Sequence, residues 1–375
     1  MDNAIAPGLL DLSGEGTDLV ALTRAVCDIP SVSGDEKALA DAIETLLRGL
    51  PHLEVLRDGD AVVARTDLGR DRRVVVAGHI DTVPVADNLP TRLVGAGDDA
   101  VLWGRGSVDM LGGVAVALAL AAELGTPGRE PVHDLTWIFY DHEEVDAALN
   151  GLGRLARNRP ELLRGDLAIL GEPSDAGIEG GCNGTMRAEL RVRGVAAHSA
   201  RAWTGENAIH AAAPVLARLA AYEPREVEVD GLVYREGLNA VRIEGGIAGN
   251  VVPDSCVIEV NYRFAPSRSV EEAHAHLREV FDGFDVLVTD AAAGARPGLD
   301  DPLAAEFVRS VLAVTGGVPA PKYGWTDVAR FSELGVPAVN FGPGDPLLAH
   351  KDDERLSVTQ LAQCRDALRA WLLGG

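Results

Sequence analysis

Val74-Val75-Val76-Ala77-Gly78-His79-Ile80-Asp81 is an apolar run that ends in a histidine and an aspartate two residues apart. The apolar run predicts a buried parallel strand. Side chains two apart in an extended chain point to the same side, so His79 and Asp81 should emerge together at the carboxyl end of the strand, where open α/β sheets bind ligands. A metal-bound imidazole commonly donates its other N–H to a carboxylate. For this pair alone a solvated turn is the commoner explanation, so the metal hypothesis depends on further ligands.

The composition is that of an ordinary globular protein, with 375 residues, 47% of them hydrophobic and 24% charged. This length predicts two domains. The net charge of −23, with no basic patch, argues against nucleic acid and anionic membranes as partners. The longest apolar run, Val114–Ala122, is too short to span a bilayer. The first eight residues lack the basic and apolar regions of a secretory signal.

The cysteines indicate neither a disulfide framework nor a thiolate zinc site. Cys27, Cys182, Cys256 and Cys364 are far apart, and no Cys-x-x-Cys pair occurs. A reducing cytoplasm is the expected location.

A glycine-rich loop, Trp103–Gly113, precedes a predicted apolar helix at 114–124. A phosphate loop is one interpretation. The segment lacks the third glycine of a dinucleotide fingerprint, and it has no Gly-Lys-Ser/Thr. Asp109 remains as a side chain able to bind a metal just before the helix.

Carboxylates follow two more predicted strands. Leu135–Tyr140 leads into Asp141-His142-Glu143-Glu144, and Leu167–Leu170 leads into Gly171-Glu172-Pro173. Adjacent glutamates in an extended segment point in opposite directions, so one could bind a metal and the other a water. Each loop alone could be a solvated turn, but the repeated arrangement favours a shared site.

Two amphipathic helices are predicted near the amino terminus, at Asp18–Asp28 and Asp35–Leu50. Ser33 followed by Glu36 matches a capping box at the start of the second helix.

The order of predicted elements indicates an α/β protein. Its main domain should contain a mixed, mostly parallel sheet with helices on both faces, formed by residues 1–183 and 295–375. From about Thr185 strands alternate with helices at Asn207–Tyr222 and Val270–Phe281. This order predicts an inserted α+β, ferredoxin-like domain of β-α-β-β-α-β type at residues 184–294.

The candidate ligands combine two imidazoles with three carboxylates. This donor set suits a pair of zinc ions better than calcium or a structural thiolate zinc. A carboxylate such as Asp109 can bridge two metal ions, and metal pairs of this kind drive hydrolysis. The ligand candidates are His79, Asp109, Glu144, Glu172 and His350.

The motifs resemble, in order and spacing, those of the di-zinc amidohydrolases that include aminoacylase, acetylornithine deacetylase, glutamate carboxypeptidase and succinyl-diaminopimelate desuccinylase. The resemblance is carried by Gly78–Pro84, Gly104–Met110, Asp141–Glu144, Gly171–Pro173 and Ala349-His350.

The resemblance implies two Zn²⁺ per subunit, with Co²⁺ as a substitute. His79, Asp109 and Glu172 would bind one ion, and Asp109, Glu144 and His350 the other. Asp81 would orient His79. Glu143 would be the general base that deprotonates the bridging water and passes the proton to the leaving amine.

The inserted module resembles the family's lid and dimerisation domain. In a homodimer, His198 would then reach the active site of the partner subunit and help to hold the oxyanion. Asn250 and Arg263 would bind substrate carboxylates, and Arg201 would add positive charge to the cleft. Thr326 would also bind the substrate, because it lies in Gly324-Trp325-Thr326-Asp327, which is similar to a desuccinylase loop.

The implied substrate is a small N-acyl amino acid. Glu172 is typical of the desuccinylase or deacetylase branch, so N-succinyl-LL-2,6-diaminopimelate is the expected substrate and acetylornithine or another N-acyl amino acid the alternative. Better-known desuccinylases carry Gly-Gly-Thr-Ser-Asp where this chain has Trp325. A metal-binding or oligomerisation protein without activity is the hypothesis from another class. Glu143 argues against this hypothesis, because a protein that only binds metal does not need that carboxylate.

Overall fold

The structure is a computed structural model, and it describes residues 18–375. These residues form two compact units. The first comprises 18–180, Gly298–Ala320 and Arg330–Gly375, and the second comprises Gly181–Pro297 and Pro321–Ala329. The beginning of the predicted segment 1–183, including the stretch inspected for a secretory signal, lies outside the described residues.

Ten α-helices lie within residues 18–375. They are α1 (Leu19–Cys27), α2 (Lys37–Arg48), α3 (Leu111–Glu123), α4 (Gly151–Asn158), α5 (Ala208–Ala211), α6 (Ala213–Ala220), α7 (Val270–Val280), α8 (Pro302–Thr315), α9 (Val328–Glu333) and α10 (Val358–Leu372).

Residues 18–375 contain nineteen strands of two to ten residues. They are β1 (Glu54–Asp58), β2 (Ala61–Arg65), β3 (Arg73–His79), β4 (Arg92–Val94), β5 (Val101–Trp103), β6 (Asp134–Tyr140), β7 (Leu167–Leu170), β8 (Glu179–Gly180), β9 (Gly184–Arg193), β10 (Ala197–His198), β11 (Glu226–Val229), β12 (Leu232–Arg235), β13 (Gly237–Gly245), β14 (Val251–Val252), β15 (Ser255–Phe264), β16 (Asp285–Ala292), β17 (Ala320–Pro321), β18 (Ala338–Asn340) and β19 (Arg355–Ser357).

The main sheet of the first unit has eight strands in the order β1-β2-β6-β3-β7-β18-β8-β17. The central strands β6, β3, β7 and β18 are parallel, whereas β1, β2 and β8 pair antiparallel with their neighbours. The predicted mixed sheet with a parallel centre is therefore confirmed. Parallel strands end at the same edge, so the segments that follow β3, β6 and β7 meet there.

Both faces of this sheet are covered. Val74 and Val76 of β3 belong to the large apolar core that includes α1, α2, α3, α8 and α10. Val75 and Ala77 alternate with them and are also buried. A strand buried on both faces has no polar alternation, which explains the uninterrupted apolar run.

Helix α3 approaches the sheet edge closely. It is apolar around its whole circumference, and residues Leu111 to Ala121 are buried. A side chain at Gly113 would collide with the carbonyl of Gly171, just after β7. Glycine here lets the start of α3, and with it Asp109, lie close to the segment that carries Glu172.

The second unit contains a four-stranded antiparallel sheet in the order β13-β15-β9-β16. One face is apolar and packs against side chains of α5, α6 and α7, among them Ala208, Val215 and Leu277. The four strands of this sheet and the helices packed on it follow one another along the chain in the predicted β-α-β-β-α-β order, with the short strands β10, β11, β12 and β14 in between. The predicted helix Asn207–Tyr222 is instead two helices, because Pro214 starts a new helix after Ala212.

The predicted capping box is wrong. Helix α2 begins at Lys37, its N-cap is Glu36, and no side chain caps it. The Ser33 hydroxyl donates instead to the carboxylate of Asp81, 48 residues away, over 2.7 Å. Glu36 accepts hydrogen bonds from the backbone of Gly34 and His142. The local spacing is that of a capping box, but both side chains have distant partners.

Within residues 18–375, every helix is too short or too polar to cross a lipid bilayer. All four cysteines are buried and carry free thiols.

Candidate metal centre

The Asp109 carboxylate lies between two imidazoles. Its Oδ1 is 3.2 Å from Nε2 of His79, and its Oδ2 is 3.2 Å from Nε2 of His350. His79 ends β3, whereas His350 follows the short turn Pro346–Leu348. Each oxygen of Asp109 therefore faces a different imidazole, which is the arrangement a carboxylate needs to bridge two cations.

Glu144 lies on the His350 side of this bridge. Its Oε1 is 2.9 Å from Nε2 of His350. One potential ligand atom from each of His79, Asp109 and Glu144 lies within 4.8 Å of the other two. The structure thus brings together four of the five predicted ligands.

Glu172, the fifth predicted ligand, lies two residues beyond β7, which pairs with β3. It is only 5% exposed. Glu172 therefore lies at the same edge of the sheet as His79, and its pairing with His79 on one ion stays a prediction.

Both histidines hold protons more tightly than free histidine does. Burial alone would lower the pKa of His79, but the hydrogen bond to Asp109 and the charge of Glu143 outweigh it and raise that pKa well above the ordinary value. Hydrogen bonds to Asp109 and Glu144 raise the pKa of His350 to about 10. The carboxylates thus create a strongly negative environment, and a divalent cation would take the place of these protons.

Asp81 is fully buried and holds the acidic loop by its backbone. Its Oδ1 accepts the N–H of Glu143 over 2.9 Å, and its Oδ2 accepts the N–H of Glu144 over 3.0 Å. Nδ1 of His79 lies 3.0 Å from the Asp81 carbonyl but 3.5 Å from its carboxylate. The carboxylate was the expected partner of the His79 ring, but the closer contact is made by the Asp81 backbone carbonyl, while the carboxylate binds the N–H groups of the two glutamates.

A buried ion pair supports the same site, and sequence reasoning missed it. Nη1 of Arg105 lies 2.8 Å from Oε2 of Glu354. Oε1 of Glu354 accepts the backbone N–H of Val108 and, over 3.2 Å, that of Asp109. Arg105 also donates to the carbonyl of Lys351, one residue after His350. The pair thus joins the segments that carry Asp109 and His350. The only signal was that Arg105 lies inside the Gly104–Met110 motif and that Glu354 follows His350 closely in sequence.

The other predicted site residues lie in the second unit. His198 is exposed at the end of β10, and its Nδ1 accepts the N–H of Ala200 over 3.1 Å. Asn250 is adjacent, because its carbonyl accepts the N–H of Ser199. Arg201 is exposed in the turn that follows His198.

Two further predicted substrate ligands also belong to this second unit. Arg263 lies on β15, where its Nε donates to Asn261. Thr326 is 3% exposed, and its carbonyl is 3.7 Å from Sγ of Cys182. Thr326 is therefore tied into the interior of the unit by its backbone.

Comparison with known proteins identifies similar chains along nearly the whole length. The model of peptidase family M20/M25/M40 matches residues 75–374. A Mycobacterium tuberculosis protein, provisionally named succinyl-diaminopimelate desuccinylase, is 53% identical over 98% of this chain and 100% of its own. The succinyl-diaminopimelate desuccinylase of Corynebacterium glutamicum is 47% identical over 99% of this chain and 100% of its own.

Among solved structures, an M20 family metallo-carboxypeptidase of Sulfolobus solfataricus has a similar fold. The TM-score is 0.74 at 15% identity, and the match covers 95% of this chain and 99% of that one.

Proposed function

Because the chain belongs to peptidase family M20/M25/M40, we propose that it hydrolyses the amide bond of N-succinyl-LL-2,6-diaminopimelate to succinate and LL-2,6-diaminopimelate. The observation that carries this proposal is the identity of 53% and 47% to the two full-length desuccinylase relatives. The reaction belongs to diaminopimelate and lysine synthesis.

The donor set supports a metal-dependent hydrolase with two Zn²⁺ per subunit, for which Co²⁺ could substitute. His79, Asp109 and Glu172 would hold one ion, and Asp109, Glu144 and His350 the other. The position of Asp109 between two imidazoles supports this division. When bound, such ions lower the pKa of a water and polarise the carbonyl under attack.

The chain's own residues would carry the proton. Glu143 would accept a proton from the attacking water as its oxygen bonds to the amide carbon. The carbon–nitrogen bond then breaks, and Glu143 returns the proton to the leaving amine, so that the products are a carboxylic acid and an amine, which at neutral pH become a carboxylate and an ammonium ion. Asp81 supports this step, because it accepts the backbone N–H of Glu143 and so fixes the start of that side chain.

Substrate recognition is assigned to the second unit. Arg263 and Arg201 offer guanidinium groups suited to carboxylates, which the substrate carries at several positions. Asn250 and Thr326 would add polar contacts. His198 would stabilise the oxyanion in the partner subunit's active site, and its exposure supports a role outside its own subunit.

A homodimer is part of the proposal, with residues 184–294 as the lid and dimerisation domain. Strand β13 is at the edge of its sheet and exposes Val241 and Ile243, which are 57% and 49% exposed. Ile209 and Leu216 on the adjacent helices are both 41% exposed. An edge strand with apolar neighbours is suited to pairing with a second copy of the chain. The free thiols support a cytoplasmic location.

Substrate preference tests the proposed function. Purified zinc-loaded protein should hydrolyse N-succinyl-LL-2,6-diaminopimelate with a much higher kcat/KM than acetylornithine. Higher turnover of acetylornithine would overturn the substrate and favour the deacetylase alternative. Glu143→Ala should abolish hydrolysis of both substrates. An active Glu143→Ala protein would overturn the mechanism.

A further inference from the structure

The turn between α1 and α2, Ser31–Glu36, packs against the two segments on which the proposed general base depends. Its backbone forms a parallel bridge between Val32 and Thr82, supported by the N–H of Ser33 to the Thr82 carbonyl at 3.1 Å. The N–H of Thr82 in turn donates to the carbonyl of Ser31 over 2.9 Å. The turn is thus fixed to the residue that follows Asp81.

The Ser33 hydroxyl fixes the carboxylate of Asp81 itself. It donates over 2.7 Å to Oδ2, the same oxygen that accepts the N–H of Glu144. A buried carboxylate with hydrogen bonds to both oxygens has little freedom to rotate. Rotation of Asp81 would release the backbone of Glu143 or of Glu144.

Glu36 acts on the acidic loop from the other side. Its side chain is fully buried, and its Oε1 lies 3.2 Å from the backbone nitrogen and 3.3 Å from Nδ1 of His142. His142 has a φ of 58°, a left-handed conformation that is uncommon for a residue with a side chain. Such a conformation persists only where the surroundings enforce it. Glu36 helps to hold this conformation at His142, the residue directly before Glu143.

We propose that Ser33 and Glu36 are positioning residues for Glu143. Ser33 acts through Asp81, and Glu36 acts through the backbone of His142. Together they determine the direction in which the Glu143 side chain projects from its loop. This inference rests on the proposed role of Glu143 as general base. Neither side chain is among the proposed metal ligands or substrate contacts, so both should act on the rate of the chemical step rather than on binding.

The same turn offers a matched control. Ser31 is 2% exposed, and within residues 18–375 its Oγ makes no hydrogen bond. Ser31→Ala therefore removes a hydroxyl from the same turn without removing a contact to Asp81. Asp35, exposed and adjacent to Glu36, gives the corresponding control for loss of a carboxylate.

The experiment compares kcat, KM and zinc content of the zinc-loaded protein and its variants with succinyl-diaminopimelate. Ser33→Ala should lower kcat about tenfold and Glu36→Gln about 10- to 100-fold, with KM and zinc content close to those of the unmodified protein. Ser33→Thr, which keeps the hydroxyl, should restore most of the rate. Ser31→Ala and Asp35→Asn should match the unmodified protein.

Two outcomes would overturn the inference. One is unchanged kcat in both Ser33→Ala and Glu36→Gln. The other is a loss of zinc or a rise in KM that accounts for the lower rate, because the turn would then support the metal site or the substrate site rather than the base. If the unmodified protein did not hydrolyse the amide, or if Glu143→Ala remained active, the proposed function would fail instead. Thermal unfolding of Glu36→Gln distinguishes loss of folding from loss of positioning, and Ser33→Ala repeats the test with a smaller change.

Discussion

The carboxylate of Asp81 accepts the backbone N–H of Glu143 over 2.9 Å, although 62 positions separate the two residues. This contact joins the end of β3 to the loop after β6. Asp81 therefore has a second role besides its contact with His79, because its carboxylate fixes the backbone position of Glu143, the proposed general base.

Asp81→Asn tests this relationship. One carboxylate oxygen becomes an NH₂ group, which would face a backbone N–H donor of Glu143 or Glu144. We expect kcat to fall about 10- to 100-fold. Steady-state kinetics together with zinc analysis check the result. A kcat equal to that of the unmodified protein would show that the Asp81 hydrogen bonds do not matter for catalysis.

His350→Ala tests the division of the metal site. His79 and His350 face different oxygens of Asp109, so each should belong to a different ion. We expect the zinc content of the purified protein to fall from two ions per subunit to about one, with loss of activity. His350 is 52% exposed, so little packing is lost. Metal analysis after gel filtration measures the change, and the exposed His210 provides the control variant His210→Ala. A single zinc ion in the unmodified protein would contradict the bridged arrangement.

Glu354→Gln tests the buried ion pair. It leaves Arg105 as a buried charge without its carboxylate partner and weakens the support of the Asp109 backbone. We expect about 3–5 kcal/mol lower free energy of unfolding and weaker zinc binding. Denaturant unfolding and zinc competition with a chelator measure the two effects.

Asp353→Asn is the matched control for Glu354→Gln. Asp353 pairs with Arg355 at the surface, where the two side chains are 65% and 42% exposed. A surface ion pair contributes about 0–1 kcal/mol. Equal effects of the two substitutions would argue against a special role of the buried pair.

Asp134 should make the protein sensitive to acid. Burial alone would raise the pKa of Asp134, but hydrogen bonds from the N–H groups of Leu68 and Arg70 and from the Thr66 hydroxyl lower it below the ordinary value. A lowered pKa means that the ionised form is bound more tightly in the folded state. This contribution is complete above the unfolded pKa of about 3.9 and is lost as the pH falls through the folded value.

Asp134→Asn should therefore cost about 1–3 kcal/mol of unfolding free energy at pH 7. The difference from the unmodified protein should shrink below about pH 4, where Asp134 itself becomes protonated. Urea unfolding between pH 7 and pH 3 measures it, with the exposed Asp71→Asn as control. A difference that does not depend on pH would contradict the titration of Asp134.

Mixed dimers test whether His198 acts across the subunit interface. His198→Ala and Glu143→Ala should each be inactive as homodimers. Co-expression with two different tags yields dimers with one subunit of each kind. Such dimers should recover about half of the normal activity, because each would hold one complete site. No recovery would indicate that His198 acts within its own subunit.

The ligands that follow strands were predictable from the sequence. Apolar runs that end in polar residues identify parallel strands, and parallel strands bring their carboxyl ends to one edge. Residues near these strand ends were therefore collected as candidate ligands before any distance was known, namely His79, Asp109, Glu144, Glu172 and His350. The division of these ligands between two ions came from the family resemblance.

The supporting residues were not predictable, because their partners lie far along the chain. Ser33 and Glu36 have the spacing of a capping box. A local pattern cannot show that their side chains bind Asp81 and His142 instead of the start of the helix. Arg105 and Glu354 are 249 positions apart. Each alone looks like an ordinary surface charge, and only the folded chain shows that both are buried.

The position of β18 determines when the chain can complete its first unit. β18 lies between β7 and β8 in the sheet, yet it is formed by Ala338–Asn340, after more than a hundred residues of the second unit have been made. A nascent chain that stops before β18 leaves one edge of β7 without its parallel neighbour, and it contains neither His350 nor Glu354. The second unit also needs a later segment, Pro321–Ala329, but its four-stranded sheet is complete at Ala292. During synthesis, the proposed set of metal ligands can therefore be complete only after almost the entire chain has left the ribosome.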